Sequence, residues 1–127
     1  MKLTSNFSKS EFECKCGCEM PKEVLLNIQK LANQLQILRN KVGVSIKINS
    51  AYRCLKHNKS IGGVSNSQHV LGKASDVVIS GFKPSKTFDL ISELINEGDM
   101  LQGGLGAYNS FTHYDIRGKK ARWNFTK

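Results

Sequence analysis

The sequence has no run approaching the roughly 18 apolar residues of a membrane-spanning helix. Acids are scarce: 10 aspartates and glutamates stand against 19 lysines and arginines, a formal net charge of +9. There are two prolines, Pro21 and Pro84, and no repeat, low-complexity segment or linker. The stretch from Met1 to Lys9 lacks the apolar centre of a secretory signal peptide. These shortages exclude a membrane span and argue against Sec export. The expectation is a protein made in the cytoplasm that stays there or reaches its target after lysis or as part of a virion. The shortage of acids favours an anionic partner: nucleic acid, a membrane surface or an acidic cell-wall polymer. The basic residues are scattered, nowhere denser than Gly118-Lys119-Lys120-Ala121-Arg122. No basic helix or interleaved basic and aromatic motif is present, which argues against specific nucleic-acid binding.

What the chain does have is the composition of a folded domain. Of 127 residues, 39% are apolar and 23% charged, which suits one domain over residues 1–127 with a core that needs no staples. Ser8 and Glu11 make a capping pair for a short helical turn. Pro21 and Glu23 open a helix in which Val24, Leu25, Ile28, Leu31, Ala32, Leu35 and Leu38 recur at helical spacing. It is predicted to run to about Lys41 and to stop before Gly43. Val44, Ile46 and Ile48 alternate with Ser45 and Lys47 as a half-buried strand, with Arg53 displayed just past its end. Residues 55–67 read as a loop with a turn at Gly62-Gly63. Ala74 to Ile79 reads as a strand with Asp76 on the face of Ala74 and Val78. A second helix starts at Pro84 or Ser85, turns Phe88, Leu90, Ile91, Leu94 and Ile95 inward and is capped by Gly98. A small-residue strand from Gly103 to Tyr108, a turn at Asn109-Ser110 and a return strand from Thr112 to Arg117 follow. Trp123 and Phe125 complete the core or its rim.

Four cysteines stand at Cys14, Cys16, Cys18 and Cys54. The first three alternate, so on a strand they would share a face. With Cys54 they make a structural zinc site, a disulfide in an oxidising compartment, or a group of free thiols. The spacing C-x-C-x-C is not that of a standard zinc finger, and all three readings stand.

The chemistry gathers around Ser67-Gln68-His69-Val70-Leu71-Gly72-Lys73-Ala74-Ser75-Asp76 and Phe111-Thr112-His113-Tyr114-Asp115-Ile116-Arg117. His69, Asp76 and His113 supply two imidazoles and one carboxylate, enough for a catalytic zinc with an open fourth position. His113 and Asp115 are alternate residues of a strand and share a face, an arrangement costly in a core and natural in a cleft. Zinc lowers the pKa of its water towards about 7, and Asp115 is expected as the general base that takes the proton. A plainer reading pairs Asp115 with Arg117 along the strand. His57 has no partner motif.

These residues resemble a known family. Ser67-x-His69-x-x-Gly72-x-Ala74-x-Asp76 is similar to the signature of the zinc D-alanyl-D-alanine carboxypeptidases and related cell-wall endopeptidases. Gly104-x-Gly106-x-Tyr108 and Phe111-x-His113-x-Asp115-x-Arg117 resemble the closing motif of its short, phage- and prophage-encoded branch. Asn49-Ser50-Ala51-Tyr52-Arg53-Cys54, with Asn58, and Phe12-x-Cys14-x-Cys16-Gly17-Cys18 resemble that branch too. The resemblance implies an α+β fold of the hedgehog/DD-peptidase type, a small antiparallel sheet with helices packed on it. It implies His69, Asp76 and His113 as zinc ligands, Arg53 as the group that holds the substrate's carboxylate or backbone, and Ser67 as a partner of a ligand or the substrate. One departure stands out. Many relatives carry the catalytic carboxylate three residues before the second histidine, where this chain has Ser110.

The resulting expectation is a monomeric zinc peptidase acting on peptidoglycan stem peptides or cross-links in a phage or prophage lytic setting, drawn by charge to anionic wall polymers. The rival is a non-catalytic wall-binding or virion structural module that keeps the zinc site.

Overall fold

The computed structural model describes residues 1–127. A 3-10 turn, Lys9–Phe12, comes first, and the Glu11 carboxylate accepts a hydrogen bond from the Ser8 N–H at 2.8 Å. The elements that follow are α1 (Lys22–Val42), β1 (Ile46–Ser50), α2 (Leu55–Ser60), β2 (Ala74–Ile79), α3 (Pro84–Asn96), β3 (Gly104–Ala107), β4 (Thr112–Asp115) and β5 (Ala121–Asn124).

The long helix forms where its apolar period places it. Val24, Ile28, Leu31, Ala32, Leu35 and Leu38 are buried along one face. Gly43 ends it in the left-handed region at φ 70°, its N–H returning to the Arg39 carbonyl. In α3 the buried residues are Thr87, Ile91, Leu94 and Ile95, while Phe88 and Leu90 are half-buried. Val44 lies outside β1 and is exposed.

The sheet order is β1-β2-β4-β3-β5. Three pairs are antiparallel, but β3 and β5 run parallel. The expected antiparallel sheet is present in β1, β2, β4 and β3, and β5 extends it in parallel at one edge. Because β4 is paired on both sides, the chain after it crosses to the free edge of β3 and lays β5 there. One face of the sheet is core. Ile48, Val77, Ile79, Leu105 and Tyr114 join the apolar stripes of α1 and α3 in a single cluster. Pleating sends the alternate residues Asp76, His113 and Asp115 to the other face.

The loop expected over residues 55–67 contains a helix, α2. It has no apolar stripe to announce it: Leu55 is exposed, and its one buried residue is Asn58. The Cys54 side chain caps it, accepting from the His57 N–H.

Candidate metal centre

Strand register brings the first two site residues together. Asp76 on β2 stands opposite His113 on β4, and Asp76 Oδ1 is 3.1 Å from His113 Nδ1. His69 arrives from the loop before β2, its Nε2 3.4 Å from the same oxygen. That loop is closed by the Lys73 N–H on the Gln68 carbonyl and turns at Gly72, where φ is 76°. A Cβ at Gly72 would strike Val24 of α1, so glycine serves both the turn and the close packing. Ser67 Oγ accepts from the His69 N–H at 3.1 Å, a loop-holding contact, and Ser67 also lines the cleft.

The second nitrogen of each imidazole fixes its tautomer. His69 Nδ1 lies 2.7 Å from the Ala51 carbonyl, which can only accept, so Nδ1 carries the proton. His113 Nε2 lies 2.7 Å from Asp115 Oδ2 and is protonated by the same logic. In the neutral rings the remaining lone pairs, His69 Nε2 and His113 Nδ1, then both face the Asp76 carboxylate. Two lone pairs and an anion, with ligand atoms within 4.8 Å of one another and all three residues buried, repel unless a cation lies among them. The donor set therefore fits a divalent metal, and imidazole with carboxylate suits zinc.

Without a metal, protons take its place: burial alone pushes the Asp76 pKa up, but hydrogen bonds from His113 and His69 in their protonated forms outweigh it and bring it down to about 2. For His113 burial pushes the other way, downwards, and the carboxylates of Asp115 and Asp76 raise it overall.

Asp115 departs from expectation. It is fully buried and does not line the cleft. Besides His113, it binds the Gly104 N–H at 2.8 Å, the Arg117 N–H at 3.1 Å, and Arg117 Nε and Nη2 at 2.9 and 2.8 Å. Burial alone would raise its pKa, but His113, Arg117 and the Gly104 N–H hold it well below the usual carboxylate range. The general-base assignment is therefore corrected on geometry. The carboxylate is saturated and sits across the imidazole ring from the Nδ1 that faces Asp76. A carboxylate behind a ligating histidine orients the ring and raises its basicity. The pairing with Arg117 that the sequence also allowed is present.

Around this centre lies a cleft of about 430 Å³. Arg53 lines it, held by Ser50 Oγ at 3.1 Å, Asn58 Oδ1 at 3.4 Å and Asp76 Oδ2 at 3.4 Å. Asn58, which α2 brings under Arg53, is anchored in turn by its Nδ2 on the Val64 carbonyl at 2.7 Å. Tyr108 and Phe111 stack at 4.4 Å, and Trp123 Nε1 donates to the Tyr108 hydroxyl at 2.9 Å, giving one wall of aromatic rings. Gly104 and Gly106 leave the necessary room: a Cβ on the first would run into the Asp115 carboxylate, and on the second into the Trp123 indole. Sequence reasoning did not assign Asn58, Tyr108, Phe111 or Trp123 to the site, although the first three stand in or beside the motifs that carry the resemblance. Asp76 is the only carboxylate lining the cleft. Ser110 is exposed in the β3–β4 turn, and Glu93, Glu97 and Asp99 are exposed outside the cleft.

A buried His-Asp-His set at the floor of an open cleft in a mixed α/β domain defines a candidate metal-binding protein. The particular lineage is shown by comparison: the family model described as Peptidase M15 matches residues 3–115. The chain belongs to this family, whose peptidases are metal dependent. Comparison with curated proteins gives no match.

Proposed function

We propose that the chain is a monomeric zinc peptidase that hydrolyses peptide bonds in peptidoglycan stem peptides or cross-links, in a phage or prophage lytic setting. The observation that carries this reading is the convergence of His69, Asp76 and His113, with both outer imidazole nitrogens tied back to acceptors. Those three residues would hold the ion, which when bound supplies a Lewis acid for the scissile carbonyl and a water of lowered pKa. Asp115, held by Arg117 and the Gly104 N–H, keeps the His113 ring aimed at Asp76. Arg53 presents a guanidinium to a substrate carboxylate or backbone carbonyl. Three contacts engage it, and an arginine offers five N–H donors, so donors remain for a ligand. The Tyr108 hydroxyl accepts from Trp123 and keeps its own proton free to donate to a carbonyl in the cleft. The aromatic wall covers the apolar parts of the peptide and excludes water from that side.

The test is digestion of purified peptidoglycan by the zinc-loaded protein, read by mass spectrometry. Loss of a terminal residue from stem peptides would mark a carboxypeptidase; cleavage within a stem or cross-link would mark an endopeptidase. The absence of a free carboxylate in the cleft favours a second reading, a wall-binding module that retains its metal. Zinc-loaded protein that binds walls and releases no product from any of them would establish that reading and overturn the first.

A further inference from the structure

Cys14, Cys16, Cys18 and Cys54 lie outside the cleft, and all four are free thiols. Cys14 to Gly17 is a turn, with the Gly17 N–H on the Cys14 carbonyl at 3.0 Å and Gly17 at φ 81°. The alternation of a strand is therefore not what gathers the cysteines; the turn does it. Cys14 Sγ is 3.2 Å from Cys16 Sγ and 3.8 Å from Cys54 Sγ, and Cys16 Sγ is 3.4 Å from Cys54 Sγ. With Cys18 included, the four sulfurs lie within 4.8 Å of one another. We propose that these four cysteines bind one structural zinc ion as a closed tetrathiolate, separate from the His69-Asp76-His113 centre.

The geometry favours a metal over disulfides. Zinc–sulfur bonds of about 2.3 Å set at tetrahedral angles place the sulfurs roughly 3.8 Å apart; the observed separations of 3.2, 3.4 and 3.8 Å are at or a little under that spacing and far longer than a disulfide bond of about 2.05 Å. Two disulfides would divide the sulfurs into two pairs, whereas Cys16 here has both Cys14 and Cys54 as near neighbours. Two backbone N–H groups already point at sulfur: Cys54 N–H at Cys14 Sγ and His57 N–H at Cys54 Sγ, both at 3.4 Å. Such donors favour the thiolate form that a metal requires. Lys56 borders the same hollow, where its positive charge offsets the excess negative charge of four thiolates on a dication. Cys16 is exposed and Cys18 half-exposed, which gives an ion a route in.

A zinc so held would join two distant parts of the chain. Cys54 follows Arg53 directly, and the Tyr52 N–H already bonds the Phe12 carbonyl at 3.0 Å. The N-terminal segment would thus be clamped to the backbone that carries the cleft arginine.

The experiment counts metal in the full chain and in a variant carrying His69→Ala and His113→Ala together. Wild type is expected to hold two zinc ions per chain and the histidine variant one. Treating the histidine variant with an organomercurial should release that zinc as its thiols are capped, read with a chromogenic chelator. Cobalt substituted into the same variant should show the intense near-ultraviolet sulfur-to-cobalt charge-transfer band that a histidine–carboxylate site cannot give. Cys16→Ser with Cys18→Ser should remove the band. A histidine variant that is folded by circular dichroism, free of metal and open to titration at all four thiols would overturn the proposal. So would iron in place of zinc, or disulfides found by mass spectrometry in the wild-type protein. Zinc content that the histidine changes leave unaltered would sink the His-Asp-His assignment and leave the cysteine site standing.

Discussion

Asp115 shows how a carboxylate's surroundings decide its work. In a cleft beside an activated water it would be a base; saturated by His113, Arg117 and the Gly104 N–H, it has no lone pair to spare. Asp115→Asn preserves shape but presents an amide that no longer anchors the His113 ring as an anion. Zinc affinity at this site is expected to fall by about 10- to 100-fold, the usual cost of losing a partner behind a ligand. Competition with a chelator of known affinity checks this, and unchanged affinity would refute the positioning role. Arg53 is the second test at this scale. Arg53→Ala is expected to lower kcat/KM on wall peptides by about 10- to 100-fold, the worth of a hydrogen bond to a charged group, with metal content intact. Arg53→Lys should recover little, since an ammonium offers no planar fork. Full activity in either variant would leave Arg53 without a role in the cleft.

Single elements set the site's dimensions. β2 and β4 deliver Asp76 and His113 face to face because their register pairs these residues, while β3 lies along the other side of β4 with Gly106 next to His113. Gly106 is opposite His113 on β4 and Trp123 on β5, and only a glycine leaves the indole its seat. Gly106→Ala is expected to push Trp123 off the cleft wall, at a cost of about 1–3 kcal/mol typical of overpacking. Trp123 is the sole tryptophan, so its fluorescence should shift while far-ultraviolet circular dichroism stays unchanged. An unshifted emission spectrum would show that the indole keeps its place. The same packing explains why α2 matters despite its length: it exists to seat Asn58 under Arg53.

For the whole molecule, charge and protonation govern behaviour. A net charge of +9 should draw the chain to anionic wall polymers. Binding to intact walls, measured by co-sedimentation, is expected to weaken as salt rises and the screening length shrinks from about 10 Å at 0.1 M to about 3 Å at 1 M. Salt-independent binding would point to recognition without long-range charge. Stability should depend on pH in opposite senses with and without metal. In chelator-treated protein, burial lowers the His113 pKa but its carboxylate neighbours raise it overall. A raised folded-state pKa gives stability that is fully present below the unfolded value of about 6.5 and lost as pH rises through the folded value. The Tm of stripped protein should therefore fall with rising pH across the histidine range. In zinc-loaded protein the histidines must be deprotonated to bind, so Tm should fall as pH drops. Thermal melts from about pH 5 to 8 distinguish the two slopes, and parallel slopes would exclude histidine ligation.

Local signals made much of the molecule legible from sequence. The extent of α1 follows from an apolar period between Pro21 and Gly43, and β2 and α3 from equally local patterns. The spacing from Ser67 to Asp76 and the strand around His113 singled out the three residues that converge, because motif order carries that information without a structure. The resemblance to D-alanyl-D-alanine carboxypeptidases led to the Peptidase M15 family that the match shows. Other features are non-local, and only the tertiary structure decided them. α2 has no apolar stripe, since its purpose is a polar contact to Arg53. The parallel seat of β5 depends on which strand edge remains free after β4 has paired. Alternation put Asp115 on the face of His113, but whether that place opened to solvent or lay sealed depended on Gly104 and Arg117 closing over it. The gathering of the cysteines is likewise decided by distance in space. Cys54 is far along the chain from Cys14, and only the closing of β1 against the N-terminal turn brings its sulfur within 3.8 Å.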